Sequence, residues 1–117
     1  MDLQSYLEKF GELLGTQAAA ATRPLHDPSR DAPLDIPTLR KPFDPQAHCI
    51  AAGVKALRRQ PAILLCGEMG TGKTLMGQLI AHGHAAGKPY RAIVLCPGHL
   101  VGKWRREIPL FPECLQP

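Results

Sequence analysis

The sequence predicts an α/β fold with a parallel sheet, preceded by a short helix and a proline-rich linker. Three observations carry that prediction. A continuous apolar run, Ala62 to Cys66, follows Pro61 and leads straight into a glycine-rich turn; runs of that length between breakers suit a strand buried on both faces. Beyond the turn, Lys73 to Ala86 sets Leu75, Met76, Leu79 and Ile80 at helical spacing, with Gly87 as a C-terminal stop. A second apolar run, Arg91 to Cys96, then precedes a Pro-Gly turn and a basic helical stretch with Leu100, Trp104 and Ile108 on one face. Helix, strand, turn, helix, strand and helix thus alternate, as right-handed crossovers require.

The preceding elements follow in chain order. Residues 1–22 read as an amphipathic helix: Leu3, Leu7, Phe10 and Leu14 recur at spacings of 4, 3 and 4 behind Asp2, which is suited to cap it. That apolar face needs a partner, whose identity the sequence does not give. Residues 23–45 hold six prolines and no periodic pattern, and are expected to form an extended linker. From Gln46 the stretch "FDPQAHCIAAGVKALRRQP" gives a helix with Ile50, Val54 and Leu57 on one face and Arg58 and Arg59 in its last turn. Residues 46–117 are assigned to the α/β unit.

The turn itself carries the chemistry. Gly67, Glu68, Met69, Gly70, Thr71, Gly72, Lys73 and Thr74 fit G-x-x-x-x-G-K-[ST], the Walker A phosphate loop. A triphosphate concentrates negative charge, and backbone N–H groups at the positive end of a helix form a receptor for it. Gly67, Gly70 and Gly72 can take the positive φ angles of an anion nest without a Cβ between amide and oxygen. Glu68, Met69 and Thr71 complete the loop and shape it. Lys73 is the expected catalytic side chain, a point charge on the β and γ phosphates, and the Thr74 hydroxyl is the expected Mg²⁺ ligand. ATP and Mg²⁺ are the cofactors this reading implies. The competing reading, a glycine-rich turn with a solvated lysine, does not explain why both flanks take the form the loop requires.

Composition bounds the rest. The chain has 117 residues, 44% of them hydrophobic, enough for one small domain. The formal charge of +4 is uneven: residues 1–22 sum to −2 and residues 86–117 to +3, a distribution that permits a nucleic-acid or nucleotide partner. No secretory segment opens the chain and no stretch approaches the roughly 20 apolar residues of a membrane span, so a cytoplasmic location with no membrane partner is expected. Cys49, Cys66, Cys96 and Cys114 form no C-x-x-C pair, and two of them close the predicted buried strands, where a free thiol packs as a small apolar group. Cys96 and His99 make C-x-x-H, but His82 and His84 face different sides of a helix and no second ligand pair has zinc spacing.

Beyond the loop, "IVLCPGHLVGKWRREI" and the placement of Gln46 narrow the class. Together with "GEMGTGKT" they resemble the start of the first RecA-like ATPase domain of a superfamily-two helicase or translocase, closest to the Swi/Snf-like branch of the DEAD/DEAH-type enzymes. The resemblance runs from Gln46 to Phe111. It implies a P-loop NTPase fold, adenine recognition by Gln46, coupling of ATP hydrolysis to nucleic-acid movement, and a DNA rather than RNA partner. Family phosphate loops often begin with Asp where this chain has Gly67. Physical reasoning adds that the Pro97–His99 turn with Lys103, Arg105 or Arg106 can hold a nucleic-acid phosphate without reading bases, while Trp104 packs.

The resemblance also implies parts that these residues do not contain: an Asp-Glu pair on a later strand (Walker B) and a second RecA-like domain supplying arginines. The chain is therefore expected to be the amino-terminal part of a larger ATPase, truncated within the 46–117 unit and inactive alone. In that family strands from later in the chain separate the two runs found here. Without them, Ala62–Cys66 and Arg91–Cys96 are expected to lack ladder partners or to pair directly in a foreign register. Two alternatives stay open: another P-loop enzyme such as a small kinase, and a non-catalytic nucleotide-binding module whose first helix docks a partner.

Overall fold

The structure, a computed structural model, describes residues 2–107. The expected positions Ile108, Phe111 and Cys114 lie outside them. The helices run in the order α1 (Leu3–Ala21), α2 (Asp44–Leu57), α3 (Lys73–Ala85) and α4 (Val101–Glu107), with a 3₁₀ turn at Gly98–Leu100 leading into α4.

Asp2 caps α1 as its position suggests, its carboxylate accepting from the Ser5 amide at 2.8 Å. That bond, with a second from the Ser5 hydroxyl, holds the Asp2 carboxyl below its ordinary range. The helix continues past Leu14 through a run of alanines to Ala21, since alanine is the best helix former. No residue of α1 is buried. A 19-residue helix is about 28 Å long, and a radius of gyration of 18.0 Å, against about 13 Å for a compact domain near this size, fits an α1 that stands off from the core.

The core is the seam between α2 and α3. Ile50 and Val54 from α2 meet Leu75, Met76, Leu79 and Ile80 from α3, and Ile50 and Leu79 are the most completely enclosed. Glycine permits the close approach. A Cβ on Gly53 would lie 2.6 Å from Ile80 Cδ1, and one on Gly83 would lie 3.0 Å from both Leu34 Cδ2 and Val54 Cγ2. Two successive left-handed residues end α3, Ala86 at φ 51° and Gly87 at φ 77°. The second is free for glycine and the first is strained for alanine.

The predicted α/β parallel sheet is not formed. Among the described residues the chain is helical and contains no strand, so it is not a RecA-like parallel-sheet P-loop domain. Ala62–Cys66 lies along the core with Ile63 and Leu65 packed against it, while Leu64 is 88% exposed. Arg91–Cys96 is more open still, with Ile93 at 90% and Leu95 at 94%. The two runs do not pair with each other, and an apolar run without a hydrogen-bonding neighbour is not a strand, whatever its composition. Buried thiols were expected at the ends of these runs. Instead Cys66 is exposed and Cys96 is half-buried, both free.

The linker is also more than a tether. Leu34 and Ile36 pack on the α2–α3 core. His26 is buried, and its Nε2 lies 2.8 Å from Nδ1 of His48 on α2. Asp31 reaches α2 as well, with Oδ2 accepting from Lys55 Nζ at 2.9 Å. Residues 26–36 therefore form a strap across the two-helix core.

Paired glycine substitutions test this packing. Ile80 is only 3% exposed, so Gly53→Ala must displace it; overpacking of that kind costs about 1–3 kcal/mol, partly offset by the roughly 1 kcal/mol helix preference of Ala over Gly. A Cβ at Gly77 meets nothing within 4 Å, leaving only the favourable preference. The urea midpoint is expected to fall for Gly53→Ala and rise for Gly77→Ala at unchanged slope. Movement of both in one direction would show that the α2–α3 seam is misplaced.

Candidate functional site

The phosphate-loop residues come together at the amino end of α3. Gly72 caps the helix at φ 82° and Gly70 has φ 83°, both in the region that favours glycine. Thr71 closes the turn, its hydroxyl donating to the Glu68 carbonyl at 2.8 Å. A Cβ on Gly67 would lie 2.9 Å from that hydroxyl oxygen and 3.7 Å from the Lys73 side chain, so the first glycine leaves room for the lysine to cross the loop. Lys73 does cross it: Nζ donates to Gly67 O at 2.9 Å and to Glu68 O at 2.6 Å. Two of the three ammonium donors are thus engaged by the loop's own carbonyls, and the charge stands over the mouth of the turn. Met69 points to solvent at 97% exposure. Thr74 is half-buried in the first turn of α3.

Gln46 reaches the loop itself. It occupies the third position of α2, where its carboxamide oxygen accepts from the Phe43 amide at 2.9 Å, and its Nε2 donates to Thr71 O at 2.9 Å. It is therefore bound to the loop backbone, with one end capping α2 and the other fixing Thr71. A Cβ on Gly72 would lie 2.5 Å from Gln46 Nε2, so Gly72 is needed for this contact as well as for its φ. The signal for that role was present in the sequence, since glutamine three residues into a helix commonly reaches back to the entering amide.

The basic residues form a second cluster. Pro97 is exposed just before the 3₁₀ turn and Gly98 and His99 are exposed on it, while Lys103, Arg105 and Arg106 are exposed on α4. Trp104 is half-buried and turns inward, lining a cleft of about 990 Å³ between α3 and residues 87–95. Gln78 lines the same cleft, and neither polar atom of its carboxamide finds a partner among the described residues. No group of three or more metal-ligating side chains occurs among the described residues. None of the described helices is long and apolar enough to cross a membrane.

The Gln46 contact is open to a double-mutant cycle. Gly72→Ala carries backbone strain of about 1–2 kcal/mol and a clash with Gln46. In a Gln46→Ala background only the strain remains, so Gly72→Ala is expected to cost less there, by roughly 0.5–3 kcal/mol of coupling. Equal costs in both backgrounds, read from denaturant midpoints, would place Gln46 away from the loop. No family model, curated protein or solved structure matches the chain, and the assignment of the site rests on these residues and their geometry.

Proposed function

We propose that residues 67–74 bind the triphosphate of MgATP, and that the chain is the ATP-binding portion of a DNA helicase or translocase of the Swi/Snf-like superfamily-two class. The observation that carries the nucleotide reading is the Lys73 ammonium, held over a glycine turn at the start of a helix with two residues at positive φ. In this reading Lys73 exchanges its bonds to Gly67 and Glu68 for the β and γ phosphates, and the backbone amides of Gly70 to Thr74 surround the anion. The residues fit a magnesium nucleotide: a cradle that a Cβ at Gly67 would crowd, and the Thr74 hydroxyl beside it in the chain. The Thr74 hydroxyl would hold Mg²⁺, which would supply charge neutralisation to the phosphates.

The helicase class is supported by "LCPGHLVGKWRRE" and the exposed basic side chains that it sets on the 3₁₀ turn and α4. There a DNA phosphate would meet Lys103, Arg105 or Arg106. A cytoplasmic location is part of the same proposal, and the free thiols of Cys49, Cys66 and Cys96 suit a reducing compartment. The absence of any buried residue in α1 favours a second reading, a non-catalytic nucleotide-binding module that docks a partner through that helix.

Two experiments test the proposal. Titration calorimetry with MgATP is expected to show binding that Lys73→Ala weakens at least about tenfold, a loss of about 1.4 kcal/mol; equal affinity in the two proteins would remove the phosphate-loop assignment. The 117-residue chain is expected to turn ATP over more slowly than about 1 per second even with duplex DNA, because no Asp-Glu pair occurs in it to position water. Faster DNA-stimulated turnover would show that the residues present suffice.

A further inference from the structure

We infer that the strap of residues 26–36 is latched to α2 by the His26–His48 pair, and that the latch opens when both imidazoles are protonated. The inference stands apart from the nucleotide reading.

The geometry sets the proton count. His26 Nε2 and His48 Nδ1 are 2.8 Å apart, with ring centroids at 5.1 Å. A nitrogen–nitrogen contact of that length needs one N–H facing one lone pair. With no added proton, or with one, either ring can supply the N–H. With both rings protonated, N–H faces N–H and two like charges stand within about 5 Å, on a side chain, His26, that is 2% exposed to water.

The neighbours do not remove this conflict. On the strap, Asp31 Oδ2 lies 3.6 Å from His26 Nδ1, beyond hydrogen-bond reach, and it already accepts from Lys55 Nζ and from the Asp27 amide, each at 2.9 Å. The Asp27 carboxylate is engaged by the amide and hydroxyl of Ser29 and by Arg30. From α2, Lys55 adds a positive charge. Asp31 Oδ2 is already shared between Lys55 Nζ and the Asp27 amide, and the N–H to N–H contact between two protonated rings remains. The Ser29 hydroxyl holds the Asp27 carboxyl below its ordinary range, and the Asp27 amide with Lys55 does the same for Asp31. Both carboxylates are thereby held in their charged form, so the groups whose protonation would open the latch are the two imidazoles.

The sign follows from linkage. The docked pair holds at most one added proton and the released pair holds two, so docking strengthens as pH rises. It weakens by up to tenfold per pH unit as pH falls below the ordinary imidazole range near 6.5. Release uncovers Leu34 and Ile36 from the core beside Gly83.

Hydrogen exchange on the full chain between pH 7.5 and 5.0 tests the latch. The Asp27, Arg30 and Asp31 amides report the strap, since each is bonded within it, and α2 amides correct for the intrinsic pH dependence. Imidazole NMR signals followed in parallel report each protonation. The strap's relative protection is expected to fall at least fivefold by pH 5.0, in step with the second protonation. In the double variant His26→Gln, His48→Asn, amides replace the two facing nitrogens without titrating, and protection is expected to stay flat. A flat wild-type profile, a loss that follows the first proton, or the same decline in the double variant overturns the inference. Should the double variant fail to dock at pH 7.5, the wild-type comparison of protection with the second protonation decides the matter alone.

Discussion

The glycine-rich loop of residues 67–74 depends on the seating of α3 against α2. Its incoming stem is held because Ile63 and Leu65 pack on the α2–α3 core, and its outgoing stem is α3 itself, anchored by Leu75, Met76, Leu79 and Ile80. Gln46, from the first turn of α2, fixes Thr71 between them. The loop is thus tied at three points to one small hydrophobic seam. Its glycines can hold positive φ angles because the two stems leave the intervening chain few other paths. A cavity in that seam would reach the loop without touching it, since a core relaxes only partly around a deletion.

The two apolar runs show where sequence pattern stops being informative. A stretch such as Ala62–Cys66 satisfies the criterion for a strand buried on both faces, but that criterion describes the side chains and says nothing about a neighbour. The structure partly covers one side of the first run and almost none of the second, leaving Leu64, Ile93 and Leu95 open. Unpaired backbone groups are tolerable only while water can reach them, and here they stay accessible at the expense of exposed apolar surface. Exposed apolar segments with free backbone groups are templates for association with another chain. The run lining the cleft is such a template, and the orphaned Gln78 amide beside it makes the same point in polar chemistry.

What was legible in the sequence was local. The Asp2 cap, the periodic faces of α2 and α3, the glycine stop near Ala86 and the positive φ angles of Gly70 and Gly72 are set by residues within a few positions of one another, and they stand where the pattern puts them; Gly67, expected at positive φ as well, does not take one. What was not legible depends on residues far apart. His26 finds its partner 22 positions away, Asp31 finds Lys55 at 24, and Gln46 finds Thr71 at 25. The strap was concealed by its prolines, which erase helical and strand periodicity alike. Leu34 and Ile36 were its only apolar hint, two residues apart on one side of an extended chain. The sheet fails to form for the opposite reason, because a strong local pattern has no long-range partner to realise it.

These long-range contacts converge on α2. Gln46 faces the loop, His48 and Lys55 face the strap, and Gly53 and Val54 face α3. A 14-residue helix is stiff on the scale of these contacts, so a displacement of α2 along its axis changes the strap and the loop together. The close approaches at Gly53 and Gly83 leave little room for α2 to move across the seam. Motion along the axis is less obstructed, and it is opposed at the amino end by the Phe43–Gln46–Thr71 bonds and along the side by the histidine and aspartate contacts. The loop is therefore as well defined as the position of α2, and that position is set by polar contacts from a segment whose composition alone reads as a linker.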